Sequence, residues 1–224
     1  MFKSTLNIAV AIVCSSLVTL TGCEPKVAQS QVIQPLETPI VIEHNLGQTV
    51  ISNRPQRVAA LDMNEVDFLD QLNVPIAGMV KDFVPHFLAK YKNTPDIADL
   101  GAIVQPNMEK IYALNPDLVL MTPLHANQYE ELSKLAPTVH FDIDFRNSHG
   151  HHVDIIKQHV IDLGEIFNKQ TLAQKKVAEI DAKVDEVQAL TAERSEKALV
   201  VMHNNGSFSS FGIESRYGLS LIHI

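Results

Sequence analysis

The chain contains no tryptophan and only two cysteines, Cys14 and Cys23. Both fall in or at the end of an apolar leader. The folded part therefore keeps no thiol for a disulfide, a thiolate metal site or a cysteine nucleophile. Basic residues are in the minority, 18 Lys and Arg against 26 Asp and Glu, which gives a formal charge of −8. A nucleic-acid binder would show a basic patch, so no nucleic-acid partner is expected. A few local arginines could still hold an anion. Also missing are a Gly-x-Ser-x-Gly elbow, a Ser/His/Asp set and a phosphate-binding glycine loop. A surface hydrolase would need one of these, so no enzymatic activity is expected.

What is present starts with a targeting segment. Lys3 supplies the positive start, Ile8–Val13 and Leu17–Leu20 the apolar run, and small residues precede Cys23. The run is short for a membrane span. Leu20-Thr21-Gly22-Cys23 resembles the lipobox of bacterial lipoproteins. That resemblance implies cleavage after Gly22, a signal peptide over 1–22, and lipidation of Cys23 as a membrane anchor. An ordinary secretory signal with a chance cysteine, or a transmembrane anchor, is the competing reading. Residues 23–38 are polar, with Pro25 and Pro35, and read as a flexible tether.

From Ile40 the pattern becomes regular. Ile40–Glu43 and Thr49–Ser52 predict a β-hairpin. Strands are predicted at Arg57–Leu61, Ile76–Val80, Leu118–Met121 and Thr138–Phe141. Helices are predicted at Asn64–Leu72, Pro106–Leu114 with Pro106 in its first turn, Ala126–Leu135 and His152–Phe167. Val66, Leu69 and Leu72 should face inward. Strands separated by helices imply parallel βαβ units, and thus an α/β lobe over 39–167 with a mainly parallel sheet.

Asn168–Arg194 has neither Gly nor Pro, and Ala173, Val177, Ile180, Val184, Val187 and Leu190 recur at helical spacing. At about 1.5 Å per residue this run would be roughly 35–40 Å long. It reads as an interlobe strut over 168–194 rather than a short coiled coil. Ala198–Met202 then starts a new strand, and Gly206–Gly212 reads as a turn region. Residues 195–218 are taken as the start of a second α/β lobe, cut short. Residues 219–224 resemble the in-frame translation of a transposon-end adapter, so a non-native tail is expected there. A genuine terminal strand is the alternative.

Arg54-Pro-Gln-Arg-Val58, Ala113-Leu-Asn-Pro-Asp-Leu-Val119, Leu135-Ala-Pro-Thr-Val139 and Leu163-Gly-Glu-Ile-Phe167, in that order, carry a resemblance to the periplasmic binding proteins that deliver ferric siderophores, haem and cobalamin to ABC importers. It covers about Ile40 to Gly218. It implies two lobes joined by one long helix with the ligand between them, a monomer, an importer permease as partner, and iron uptake as the role. Gly206-Ser-Phe-Ser-Ser-Phe-Gly212 and Ser215-Arg-Tyr-Gly218 resemble the branch that takes catecholate or mixed-ligand siderophores. The cargo would be an Fe(III)-siderophore complex, with no cofactor beyond it. Haem, cobalamin or a bare metal ion is the alternative cargo.

Ligands of open α/β sheets sit beyond the carboxyl ends of the strands. That selects Asp62 and Met63, Lys81 and Asp82, Pro123 to His125, Asp142 to Arg146, and His203 to Asn205. A bulky anionic complex needs guanidinium or ammonium groups and apolar walls. Arg216 is the first candidate, since its setting resembles the family's catecholate-binding arginine. Lys81 and Arg146 fit by position, Met63 as wall, and His125 as a donor where relatives carry an arginine. A surface role without partner competes for each. Glu109 resembles the carboxylate that docks on a permease arginine, although a solvated helix face explains it equally. His149, His151 and His152 invite a metal, but their spacing is not i, i+4, and a polar loop leading into a helix also explains them.

Overall fold

The computed structural model describes residues 34–143, 151–194 and 199–211. The signal segment with Cys23, the loop with Arg146 and His149, and the segment with Arg216 and 219–224 lie outside the described residues. Two strands, β1 (Pro35–His44) and β2 (Gly47–Asn53), form the expected antiparallel hairpin around Asn45-Leu46. β1 starts at Pro35, inside the stretch read as tether. Pro35 pairs with Asn53, and the register shifts before Ile40. A bulge at the end of an edge strand accommodates a residue that has no N–H to give.

The main sheet has β3 (Val58–Ala60), β4 (Gly78–Met79), β5 (Ala98–Asp99), β8 (Leu118–Met121) and β9 (Thr138–His140) in the order β5-β4-β3-β8-β9. All four pairings are parallel. Between β5 and β8 lies a small antiparallel pair, β6 (Gly101–Ala102) with β7 (Gln105–Pro106). The helices are α1 (Met63–Gln71), α2 (Ala89–Lys92), α3 (Met108–Leu114), α4 (Tyr129–Leu135), α5 (His152–Ile166) and α6 (Gln170–Thr191).

Alternation along each strand divides the core between two faces. Val58 and Ala60 of β3 join Leu118 and Leu120 of β8, Val66 and Leu69 of α1, and Val160 and Leu163 of α5. Ala59, Leu61, Val119 and Met121 point the other way, to Ile111 of α3 and Leu132 of α4. A sheet covered on both faces is what parallel βαβ units produce.

Local chemistry decides where the helices begin and end. Asn107, not Pro106, caps α3: its Oδ1 accepts from the Lys110 N–H at 2.9 Å, and Pro106 belongs to β7. Asn73, Asn115 and Asn168 follow α1, α3 and α5 at φ of 53°, 50° and 55°. Asparagine tolerates this left-handed conformation better than most residues, so each one ends its helix. Asn168 therefore marks the boundary between α5 and the strut, which starts at Gln170.

The strut folds back along α5. A Cβ on Gly164 would come within 2.4 Å of the Ala173 Cβ, and Lys157 pairs with Asp181 at 2.9 Å. Ala173 is fully buried and Val177 packs on the core. Further along, Val187 and Leu190 are exposed. Only the first half of the predicted apolar stripe is therefore covered by the lobe. Finally, β10 (Val200–Asn204) pairs antiparallel with β11 (Ser207–Phe211). The region read as a turn is thus a strand. Asn205 and Gly206, at φ 47° and 80°, supply the two left-handed residues of a two-residue hairpin turn.

Candidate functional site

In sheet order the strands run 3-2-1-4-5 by sequence, so the direction of winding reverses between β3 and β8. Ligand crevices of open α/β sheets form at such a reversal, beyond the carboxyl ends. Here the reversal is closed by a polar contact: Thr122 Oγ1 donates to Asp62 Oδ2 at 3.3 Å. Asp62 also caps α1, its Oδ1 accepting from the Asn64 N–H at 2.8 Å. Met63 follows as the first helical residue, half-buried against both halves of the core.

Lys81 stands where the rule placed it, just past β4, but its ammonium is held inside the lobe. Nζ donates to the carbonyls of Thr94 at 3.0 Å and Ile97 at 2.8 Å. A ligand would have to displace backbone partners to recruit it. The next residue, Asp82, accepts the Ile103 N–H at 3.0 Å. His125 is fully buried, and both of its nitrogens are engaged. Nε2 donates to the Ile103 carbonyl at 2.7 Å, and Nδ1 accepts a long bond of 3.4 Å from the Thr122 N–H. Burial pushes its pKa down, against the pull of the Ile103 carbonyl and Asp62, which favours the neutral ring that these contacts require. His125 therefore clamps two turns, with both nitrogens engaged inside the lobe.

Sequence reasoning missed the result of these clamps. Asp82 and His125 grip the same residue, Ile103. Phe83, Val104 and Leu124, the chain neighbours of these three, are 72%, 70% and 56% exposed. Leu124 lay within the selected Pro123–His125, and Phe83 followed Asp82, but both were passed over in favour of charged neighbours. Nothing in the sequence marks Val104, because its place depends on β6 and β7 docking beside β4.

A second unforeseen cluster lies past β9. Asp142 Oδ2 accepts the Asn45 N–H at 2.6 Å, and Oδ1 accepts from His140 Nδ1. Thr49 Oγ1 donates to the Thr138 carbonyl, so His44 Nε2 must donate to Thr49, at 2.9 Å. His44 Nδ1 and His140 Nε2 are left buried without a partner. Burial lowers the His44 pKa, opposed by Asp142 and reinforced by His140. The cluster fastens the β1–β2 hairpin to the main sheet.

The other candidates separate. Glu109 is exposed in the first turn of α3. His151 is exposed, 3.6 Å from Asp154, whereas His152 is buried in the first turn of α5. These two histidines therefore face different surroundings. Among the described residues no group of three His, Cys, Asp or Glu is placed to hold a metal ion, and no helix is long and apolar enough to cross a membrane.

Residues 58–223 match the family model described as periplasmic binding protein. The chain is 99% identical over 218 residues to the ferric-anguibactin-binding protein FatB of Vibrio anguillarum, covering 97% of this chain and 68% of that protein. It is 29% identical over 206 residues to the petrobactin-binding protein YclQ of Bacillus subtilis, covering 90% of this chain and 63% of the relative. Among solved structures, the siderophore-binding protein BauB, bound to a complex of two acinetobactin molecules and ferric iron, superposes with a TM-score of 0.79. It is 66% identical and is matched over 81% of this chain and 64% of its own. The chain thus spans about two thirds of the length of these relatives.

Proposed function

Since this chain belongs to the periplasmic binding protein family, we propose that it is a substrate-binding lipoprotein that captures a ferric siderophore and delivers it to an ABC importer for iron uptake. Near-identity with a protein named for binding ferric anguibactin carries the reading. The geometry agrees with it: the sheet reverses between β3 and β8, where open α/β sheets hold their ligands, and the rim beyond that point is braced. The protein binds and releases its cargo and performs no chemistry on it. Cys23 is its lipid anchor at the periplasmic face of a membrane, and it works as a monomer. Arg216 and Arg146 meet the anionic oxygens of the complex. Glu109, exposed at the start of α3, docks on the permease.

Titration of the full-length protein with ferric anguibactin tests the reading. Without tryptophan, the readout is ligand absorbance or calorimetry. A Kd below about 1 µM, or −8.2 kcal/mol, is expected, and Arg216→Ala should weaken it. Absence of binding across ferric catecholate, mixed-ligand and hydroxamate complexes overturns the function. A Soret shift with haem in its place moves the cargo to haem. Glu109→Ala should reduce uptake into cells and leave affinity unchanged; an equal fall in affinity refutes the docking role.

A further inference from the structure

Among the described residues, the carboxyl end of the sheet presents carboxylates to an anion rather than free ammonium groups. Asp62, Asp82 and Asp142 stand at the ends of β3, β4 and β9, and each is already accepting hydrogen bonds from the lobe. The ammonium groups beside them are engaged as well. Lys81 is bonded to the Thr94 and Ile97 carbonyls, and Lys110 is paired with Asp99 at 3.3 Å. An anionic face pressed against this end would meet carboxylates and no free cation from Lys81, Lys110 or the buried His125. What the end does offer is Phe83, Val104 and Leu124, exposed on turns that Asp82 and His125 tie to one residue, Ile103.

Single exposed apolar residues are ordinary. Three of them on turns tied to one another through Ile103 are different, because a surface held in place before binding loses less freedom when it is covered. Resting on the function proposed above, we propose that Phe83, Val104 and Leu124 form a preorganised apolar wall that takes the uncharged face of the ferric complex, its rings or hydrocarbon backbone. The oxygens that carry the charge then point away from this wall, toward the arginines proposed to meet them. Asp82 and His125 are positioning residues that hold the wall. Selectivity on this side of the cargo follows shape and apolar area, not charge.

The experiment uses full-length protein and ferric anguibactin as probe. Phe83→Ser and Leu124→Ser remove exposed side chains and should leave thermal stability unchanged. Val50→Ser, a truncation of another exposed apolar residue on the hairpin, is the control. Loss of apolar contact is worth roughly tenfold or more per site. Each wall variant should lose about that factor in affinity at both low and high salt, with Val50→Ser unaffected. Lys81→Met should lower Tm and keep the affinity within about threefold once folded. Wild-type affinity in both wall variants overturns the wall. So does Lys81→Met if it weakens binding strongly with an unchanged Tm, since the ammonium would then touch the cargo. If the unaltered protein binds no ferric complex, the function itself fails and the wall fails with it; binding that ignores the serine variants refutes the wall alone.

Discussion

Gly164 sets how closely the strut approaches the lobe, and replacing it by alanine puts a number on that approach. The new Cβ would sit 2.4 Å from the Ala173 Cβ, about 1 Å inside any tolerable contact, and Ala173 has no exposed surface through which to retreat. The neighbour is a Cβ fixed to helical backbone, so α5 and α6 must move apart as bodies. Overpacking of this kind costs about 1–3 kcal/mol. Against it stands the helix preference of alanine over glycine, at most about 1 kcal/mol and less so near the end of α5. The net expectation for Gly164→Ala is a loss of about 1–2 kcal/mol, or roughly 2–8 °C in Tm for a domain of this size. Urea unfolding checks it. The reciprocal change separates the clash from general damage: Ala173→Gly alone should destabilise, yet in combination with Gly164→Ala it should restore stability relative to Gly164→Ala alone. A neutral or stabilised Gly164→Ala, or strict additivity in the double variant, would refute the close-approach argument.

Stability should also depend on pH in the mildly acidic range. Burial pushes the imidazoles of His44, His125 and His152 below their ordinary value. The unfolded chain takes up protons near pH 6.5, and the folded chain resists until lower pH. The stabilisation is therefore complete above about 6.5 and is lost progressively as pH falls through the depressed folded-state values. Urea midpoints at about pH 7.5 and 5.5 should differ in that direction, and His125→Gln should flatten part of the slope. Asp117 accepts the N–H groups of Arg57 and Gln56 at 2.7 and 2.8 Å. Asp117→Ala should cost about 0.5–1.5 kcal/mol in unfolding free energy by removing the bond to the part-buried Arg57 N–H. Leu120→Ala, in the middle of β8 with no exposed surface, should cost about 2–5 kcal/mol, measured in the same titration.

The fold was legible wherever a local pattern was enough. Leu118–Met121 is the strand its apolar run predicts, and Val66, Leu69 and Leu72 are buried as their helical spacing requires. Where a residue's role depends on distant chain, the reading fell short. Pro106 looked like a helix start because Pro favours that place, but Asn107 had the side chain to cap. Asn205-Gly206 carried a strong hairpin signal that was overshadowed by the surrounding serines. At the site, the rule about strand ends selected positions and could not tell what their side chains would touch. Lys81 looked free until Thr94 and Ile97 were folded against it. His125 looked available to a ligand until the carbonyl of Ile103, contributed by a separate small hairpin, accepted its Nε2–H.

Arg54 reaches across the lobe and donates through Nη1 to the carbonyls of Glu165 and Ile166, at 2.6 and 2.5 Å, where α5 runs out of internal partners. Its neighbours in β1 and β2 belong to the same core face as α5. The first described segment of the chain is thus a component that closes the lobe last, over separations of 111 and 112 residues. Contacts of such high order slow folding, because a long loop must be closed before it is rewarded. A chain emerging in order, from ribosome or translocation pore, would carry its sheet strands for some time with the hairpin unseated and α5 missing. The lobe should therefore stay threadable until α5 has passed, then close in one cooperative step.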